Sequence, residues 1–143
     1  MPITKEQLVG TWRLVSWVRI EEGRQASGAL GPGAEGMITY TADGFMFAML
    51  AAAGRKPFAG ESALEGSPEE CHHAMSTGLA YCGRYQVEGD TVIHTVELSM
   101  FPNWVATRQL RYCRLDGDRV VLRTPPIARR GISGVAELTW RRA

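Results

Sequence analysis

A chain of 143 residues lies within the usual size of one folded domain and is long enough to bury a hydrophobic core without disulfide bonds or metals. Its hydrophobic fraction of 45%, charged fraction of 22% and net charge of +1 lack the clustered basic excess of proteins that bind nucleic acid or membrane surfaces, so we expect neither partner. The three cysteines are an odd number outside any motif spacing, which predicts a reducing, cytoplasmic location.

The first predicted elements are a short helical turn and a long strand. Thr4 and Gln7 have the spacing of a capping box, so a helical turn is expected to begin after Thr4. Residues 11–20 are rich in β-branched and aromatic side chains, which favours a strand. The even-numbered positions of this strand are apolar, with the single exception of Ser16. The glycines between residues 21 and 33 predict a loop.

Three turns that contain Asp-Gly or Gly-Asp, each between two strand-like segments, predict three β-hairpins. The flanking segments are, in chain order, 37–41 with 45–50, 79–87 with 91–99, and 107–115 with 120–124. Gly, Asn and Asp tolerate the positive φ that tight hairpin turns need. Together with the first strand and a last strand over residues 135–141, these segments make eight strands, the number that closes a small antiparallel barrel.

The segment between the first two hairpins contains a helix signal. Residues 67–70 read Ser-Pro-Glu-Glu, which supplies an N-cap, a proline at the first helical position and two acids in the first turn. Gly78 is a typical stop, so we predict a helix over residues 67–77, packed over an end or a wall of the barrel. Glu69 and His72 have the spacing of half a carboxylate metal site, but a second such helix is missing. We therefore predict neither a metal nor a cofactor.

A series of motifs resembles the bacterial and fungal lipocalin-like domain family. The motifs are, in chain order, Gly10-Thr11-Trp12 and the segments 36–44, 81–87, 101–105 and 122–126. The resemblance covers nearly the whole chain. It implies a single all-β domain over residues 1–143, a calycin-type antiparallel barrel of about eight strands with an N-terminal helical turn, one short inserted helix and a ligand cavity. It implies little about activity, since such barrels serve both as carriers and as cofactor-free enzymes.

The pairing across the second turn predicts which side chains point into the barrel, because directly paired residues share a face of the sheet. With residues 89–90 as the loop, Tyr85 pairs with His94 and Tyr81 pairs with Leu98. The opposite face is charged and polar: Arg84, Gln86, Glu88, Thr91, Thr95 and Glu97. Tyr81, Tyr85 and His94 are therefore expected inside. For the first hairpin, Tyr40, Phe47 and Met49 compete for the inner face with Met37, Met46 and Leu50.

With residues 117–118 as the loop of the third turn, Leu115 pairs with Val120 and Cys113 pairs with Leu122 on the inner face. The same alternation places Arg111 and Gln109 inside the barrel as well. An unpaired buried cation is costly, and the inner faces assigned above carry no acid. Two interpretations of Arg111 stay open. In the first, Arg111 binds a ligand carboxylate, enolate or phenolate. In the second, its role is structural: it bonds tyrosine hydroxyls, carbonyls and water, or it closes the barrel end by stacking on Trp12. Trp104 either lies at the rim of the cavity mouth or caps the core.

Two functions fit this set of side chains. The first is binding of a small, hydrophobic or aromatic molecule with a polar or anionic head, with seven candidate contacts: Tyr40, Tyr81, Tyr85, His94, Trp104, Gln109 and Arg111. The alternative is a cofactor-free cyclase, isomerase, lyase or hydratase. In that case Arg111 stabilises an oxyanion or carboxylate, and His94 with Tyr85 transfers protons. A third interpretation makes His94 a core histidine bonded to a tyrosine. The sequence does not choose among them, and it leaves the oligomeric state open.

Overall fold

The computed structural model describes residues 2–143, and in this part of the chain it contains ten strands and two α-helices. The strands are β1 (Gly10–Glu21), β2 (Arg24–Ser27), β3 (Glu35–Tyr40), β4 (Phe45–Ala51), β5 (Gly78–Glu88), β6 (Thr91–Ser99), β7 (Arg108–Asp116), β8 (Arg119–Arg123), β9 (Ile127–Arg129) and β10 (Ile132–Arg142). The helices are α1 (Lys5–Leu8) and α2 (Pro68–Ser76), and a 3-10 turn covers Pro102–Trp104.

Eight of the strands close into an antiparallel barrel, as the sequence predicted. Their order around the barrel is β1, β3, β4, β5, β6, β7, β8 and β10, and β10 pairs back onto β1. The two strands that were not predicted, β2 and β9, lengthen the wall beside β1 and β10. Both are short and exposed at every position, so they lack the alternation of apolar and polar residues by which a strand is recognised in sequence.

Both helices begin at the predicted caps. The Thr4 hydroxyl accepts from the backbone N–H of Gln7, whose side-chain oxygen accepts from the backbone N–H of Thr4 at 2.8 Å. Ser67 and Glu70 form the same reciprocal pair at the start of α2. α2 lies beside β5 with no residue fully buried, so it contributes little to the core. Among residues 2–143 no helix has the length and apolar character needed to cross a membrane.

A bulge in β1 changes which side chains of the first strand face the interior. The pairing with β10 shifts between Leu14 and Ser16, and one extra residue in a strand moves the following side chains to the other face. Trp12 is therefore buried before the bulge, whereas Trp17 and Arg19 point into the barrel after it. The apolar even-numbered positions do not share one face, and Ser16, where their pattern stops, lies at the bulge.

A second bulge corrects one predicted pair of the second hairpin. Tyr85 pairs with His94 as predicted, but the register shifts between Cys82 and Gly83, so Tyr81 pairs with Ser99. Leu98, predicted inside, is 69% exposed. The close approach of the strands at this point needs glycine, because a Cβ on Gly83 would lie 2.0 Å from the carbonyl oxygen of Thr95. The predicted pairs of Leu115 with Val120 and Cys113 with Leu122 in the third hairpin are confirmed.

The first hairpin has an inner face that matches neither of the two predicted sets. Tyr40 pairs with Met46 and Gly36 pairs with Leu50, and the buried side chains of β3 and β4 are Ile38, Tyr40, Met46, Ala48 and Leu50. Met37, Phe47 and Met49 point outward and are exposed. The connection between the two strands has four residues, 41–44, and the sequence pattern alone does not give that length.

Candidate functional site

One half of the barrel interior is a cavity of about 250 Å³. Strands from all around the barrel supply its apolar walls: Trp17, Ile38, Ala48, Leu50, Leu79, Leu122, Ala136, Leu138 and Trp140. The charged and polar side chains on its surface are Arg19, Tyr81, His94, Arg111, Thr124 and Arg129, and Trp104 also lines it. No aspartate or glutamate of the described chain lines it. The volume lies just below the roughly 300–1,000 Å³ of drug-sized ligand sites, which suits a molecule with a single ring.

Four of the seven predicted contact residues line this cavity: Tyr81, His94, Trp104 and Arg111. The 3-10 turn after β6 brings Trp104 edge-on to the ring of Tyr81, with 5.1 Å between the ring centroids. Trp104 thus lines the cavity and also packs against the buried core, so the structure does not separate the two positions considered for it. His94 and Arg111 come from the paired strands β6 and β7, where Val92 lies directly opposite Arg111.

The other three predicted contacts, Tyr40, Tyr85 and Gln109, do not line the cavity. The hydroxyl of Tyr85 donates to the carbonyl of Thr41 at 2.7 Å. Gln109 lies opposite His94, but its side-chain amide donates to the hydroxyl of Thr107 at 2.9 Å. Tyr40 is fully buried behind the cavity wall. The predicted pair of Tyr85 with His94 therefore exists in the strand register and not as a hydrogen bond.

His94 is instead bonded by two other tyrosines. The Tyr40 hydroxyl lies 2.7 Å from Nε2 of His94, and the Tyr81 hydroxyl lies 3.0 Å from Nδ1. Burial, and to a smaller extent the positive charge of Arg111, lowers the pKa of His94 to about 3. The imidazole is therefore neutral at physiological pH, with one nitrogen that donates and one that accepts.

The surroundings of the two tyrosines fix the direction of both hydrogen bonds. Among residues 2–143, the Tyr40 hydroxyl has no partner other than His94, so its proton must go to Nε2, because a buried donor without an acceptor is costly. Nδ1 then carries the imidazole proton and donates to the oxygen of Tyr81. Tyr81 lines the cavity, and its own O–H is left free to donate to a molecule inside it. The relay of Tyr40, His94 and Tyr81 thus presents one donor to the cavity.

Arg111 places a positive charge on the same wall. It is half-buried, and its only hydrogen bond within the described chain is from Nη1 to the carbonyl of Leu110 at 2.9 Å. None of the ion pairs formed by residues 2–143 includes it. Its charge acts to lower the pKa of Tyr40 and of Tyr81, but burial outweighs it and raises the pKa of both. Both phenols therefore stay protonated. The ring of Trp12, on which one of the open interpretations stacked Arg111, instead carries the guanidinium of Arg142.

The sequence interpretation missed two further cavity residues, Arg19 and Trp140. Arg19 pairs with Glu21 and donates to the carbonyl of Ile127 at 2.8 Å, so it ties β1 to the β9 hairpin. The interruption at Ser16 was the signal that could have placed it inside. Trp140 shares a face of the last strand with Ala136 and Leu138, which also line the cavity. These apolar positions alternate with Glu137, Thr139 and Arg141, and this alternation was the signal that could have placed Trp140 inside.

Trp140 has an unsatisfied polar group. Its side chain is 1% exposed and lines the cavity, yet its indole N–H has no hydrogen-bond partner among the described residues. Buried donors in proteins are nearly always bonded, so an exception needs an explanation. Like the Trp140 indole, the hydroxyl of Tyr81 and the guanidinium of Arg111 belong to residues that line the cavity and have donor capacity unused among the described residues, none of whose carboxylates lines it. Chemically, this arrangement can bind an acceptor oxygen on an otherwise apolar molecule.

Comparison with known proteins shows the family of this chain. A family model described as a lipocalin-like domain matches residues 9–143. The 4'-hydroxy-3'-methoxypropiophenone carrier protein ppsC of Aspergillus oryzae (strain ATCC 42149 / RIB 40) is 39% identical over 106 residues, which cover 68% of this chain and 96% of that protein. No solved structure matches the chain significantly. The resemblance seen in the sequence is confirmed, and the chain belongs to the lipocalin-like domain family.

Proposed function

We propose that this chain binds a small aromatic molecule inside the barrel and holds an acceptor oxygen of that molecule with Tyr81, Arg111 and Trp140. The observation that carries the proposal is the unmatched set of donors. Three residues whose N–H or O–H groups have unused donor capacity line an apolar cavity, and no carboxylate of the described residues lines it. Within the described residues the Trp140 N–H lacks an acceptor, and the Tyr81 hydroxyl and the Arg111 guanidinium have donor capacity to spare. A ligand oxygen would supply an acceptor.

The walls of the cavity favour an aromatic ligand over a flexible aliphatic one. Trp17, Tyr81, Trp104 and Trp140 supply four aromatic rings, and aromatic pairs gain roughly 0.5–1.5 kcal/mol beyond the burial of their area. The related carrier is named for a phenolic ketone with one ring. A molecule of that class fits the volume of about 250 Å³ and brings a hydroxyl, a methoxy and a carbonyl oxygen as acceptors.

The contacts of His94 favour binding over proton-transfer chemistry. Both of its ring nitrogens are bonded to tyrosines, and a pKa of about 3 makes it a weak base at neutral pH. Tyr85, its partner in the catalytic alternative, donates to a backbone carbonyl. In our proposal His94 is a positioning residue that fixes the hydroxyl of Tyr81 as a donor to the ligand.

Calorimetric titration with 4'-hydroxy-3'-methoxypropiophenone tests this function. We expect saturable binding at one site per chain. The control is propylbenzene, which has the ring and a three-carbon chain but no oxygen, and we expect it to bind at least about tenfold more weakly, as the loss of one charge-assisted hydrogen bond implies. Absence of saturable binding of the ketone, or equal binding of the hydrocarbon, contradicts the proposal.

A further inference from the structure

We propose that the cavity binds a phenolic ligand as the phenolate, and that the phenolic proton is released to water on binding. This inference rests on the proposed function, because it specifies the ionisation state of the ligand in the same site. It follows from the charges and hydrogen-bond acceptors around the cavity, and from the desolvation of the Arg111 guanidinium when a ligand covers it.

Of the positively charged side chains that line the cavity, one has neither a counter-ion nor full exposure to solvent. On β1, Arg19 is paired with Glu21. Arg129, on β9, is exposed to solvent at the rim. The titratable groups of β5 and β6 that line the cavity are Tyr81 and His94, and both stay neutral because burial raises the pKa of the first and lowers that of the second. Behind the wall, Tyr40 on β3 and the Cys113 thiol on β7 also stay neutral, since burial raises the pKa of both.

The remaining cation, Arg111, determines which form of the ligand is favoured. Its side chain is partly exposed, and a ligand that fills the cavity would reduce the contact of the guanidinium with solvent. A neutral ligand would leave a desolvated guanidinium without a counter-ion, which is costly. A phenolate supplies the counter-ion and strengthens the bonds from Tyr81 and Trp140, because hydrogen bonds to a charged acceptor are stronger than bonds to a neutral one.

The phenolic proton itself has no suitable acceptor at this site. Both nitrogens of His94 are engaged by tyrosines, and no carboxylate of the described residues lines the cavity. A neutral phenol would add a fourth donor to a group of donors. A carbonyl group para to the phenol delocalises the negative charge of the phenolate, so a ligand of the related carrier's class ionises more readily than tyrosine does. The O–H bond is broken, its electron pair stays on oxygen and the proton passes to solvent.

Absorbance spectroscopy tests the inference, because the phenolate of 4'-hydroxy-3'-methoxypropiophenone absorbs at longer wavelength than the phenol. With the ligand held one pH unit below its own pKa, we expect the bound ligand to show the phenolate band. Its bound pKa should fall by at least one unit, which corresponds to about a tenfold preference for the ionised form. The matched compound 3',4'-dimethoxypropiophenone cannot ionise and should bind at least tenfold more weakly.

The Arg111→Met variant should retain binding of the neutral phenol and lose the phenolate band, whereas Arg142→Met, at the other end of the barrel, should keep it. If the bound phenol keeps its neutral spectrum and the dimethoxy compound binds equally well, the inference is wrong and the proposed function stands. That result would place the ketone oxygen at the three donors. If neither compound binds, the proposed function fails and the inference with it. The comparison of the two compounds needs no variant, so a poorly folded Arg111→Met leaves the test intact.

Discussion

The two fully buried tryptophans, Trp12 and Trp140, lie in halves of the barrel interior that differ in how completely their polar groups are bonded. We call the half around Trp12 the closed half: Leu8, Trp12, Tyr40, Met46, Tyr85, Val92, Cys113 and Val120, all buried and none lining the cavity. The cavity half consists of the residues that line the cavity of about 250 Å³, with Trp140 among them.

In the closed half, the donors around Trp12 are matched within the chain. The indole N–H of Trp12 donates to the carbonyl of Leu8 at 2.9 Å. The guanidinium of Arg142 stacks 4.2 Å above the ring of Trp12 and donates to the carbonyls of Val9 and Gln7. These contacts join the two ends of the chain, so they hold the closed half together and leave no donor free for a ligand.

In the cavity half, the corresponding groups are unmatched. The indole N–H of Trp140 has no partner among residues 2–143, and Arg111 bonds only the carbonyl of its neighbour Leu110. The same residue types thus serve stability at one end and remain available for a ligand at the other. Substitutions in the closed half should therefore lower the free energy of unfolding, and substitutions in the cavity half should lower ligand affinity.

The largest effect is expected at Trp12. Trp12→Ala should lower the free energy of unfolding by about 3–5 kcal/mol, because it leaves a large cavity in a packed core and removes the surface on which Arg142 stacks. Trp140→Phe is the contrasting change, since it keeps one aromatic ring and removes the unpartnered N–H with the rest of the indole; its cost should stay below about 2 kcal/mol. Urea denaturation measures both. Equal losses for the two variants would contradict the division into two halves.

The two arginines give the sharpest separation of affinity from stability. Arg111→Met should weaken binding of 4'-hydroxy-3'-methoxypropiophenone by about 1.5–3 kcal/mol, the range for hydrogen bonds to a charged group. Its free energy of unfolding should match or exceed that of the parent, because a half-buried cation without a counter-ion is removed. Arg142→Met should show the reverse, with lower stability and unchanged affinity. A destabilised Arg111→Met that still binds normally would make Arg111 a structural residue.

His94, at the boundary of the two halves, predicts how stability depends on pH. Its pKa falls from 6.5 to about 3 on folding, so the unfolded chain takes up this proton first as the pH is lowered. The contribution is fully present above pH 6.5 and is lost between that value and about 3. Between pH 7 and pH 5 the free energy of unfolding should fall by about 2 kcal/mol from this residue, at about 1.4 kcal/mol per pH unit below 6.5. His94→Gln should lack this component in parallel denaturation series, and the same slope in both proteins would exclude it.

The smallest effect is expected for the two tyrosine hydroxyls of β5. Tyr81→Phe removes the donor that the relay presents to the cavity and should weaken ligand binding by about 0.5–1.5 kcal/mol. Tyr85→Phe removes a bond to the carbonyl of Thr41 and should lower stability by a similar amount with affinity unchanged. Calorimetry and thermal denaturation on both variants give the four values. A loss of affinity in Tyr85→Phe and not in Tyr81→Phe would indicate that the ligand binds in the closed half, which contradicts the proposed function.

The sequence predicted the parts of this comparison that depend on local rules. Asp-Gly turns and alternation were enough to place His94, Tyr81 and Arg111 inside the barrel, because a short turn fixes the register of a hairpin. The bulges defeated the same rules, since one inserted residue reverses every side chain that follows it. For this reason Arg19 was missed and Leu98 was placed on the wrong face.

The hydrogen bonds of the site had no local signature. Tyr40 on β3 reaches His94 on β6 only because the barrel closes, and no pairing rule connects two strands that are not neighbours in the sheet. The same holds for depth along the barrel. Tyr81 and Tyr85 point inward from one strand, yet one lines the cavity and the other lies in the closed half, since this depends on where the walls are filled and not on the alternation.

The central claim, that unmatched donors of the cavity half bind the ligand, is tested most directly by the indole N–H signals of Trp12 and Trp140. A ¹H–¹⁵N correlation spectrum resolves these protons, and Trp140→Phe assigns one of them. On saturation with 4'-hydroxy-3'-methoxypropiophenone, the Trp140 signal should move downfield as its N–H gains an acceptor, whereas the Trp12 signal, already bonded to Leu8, should stay in place. A Trp140 signal that does not move when the ligand is bound would contradict the account.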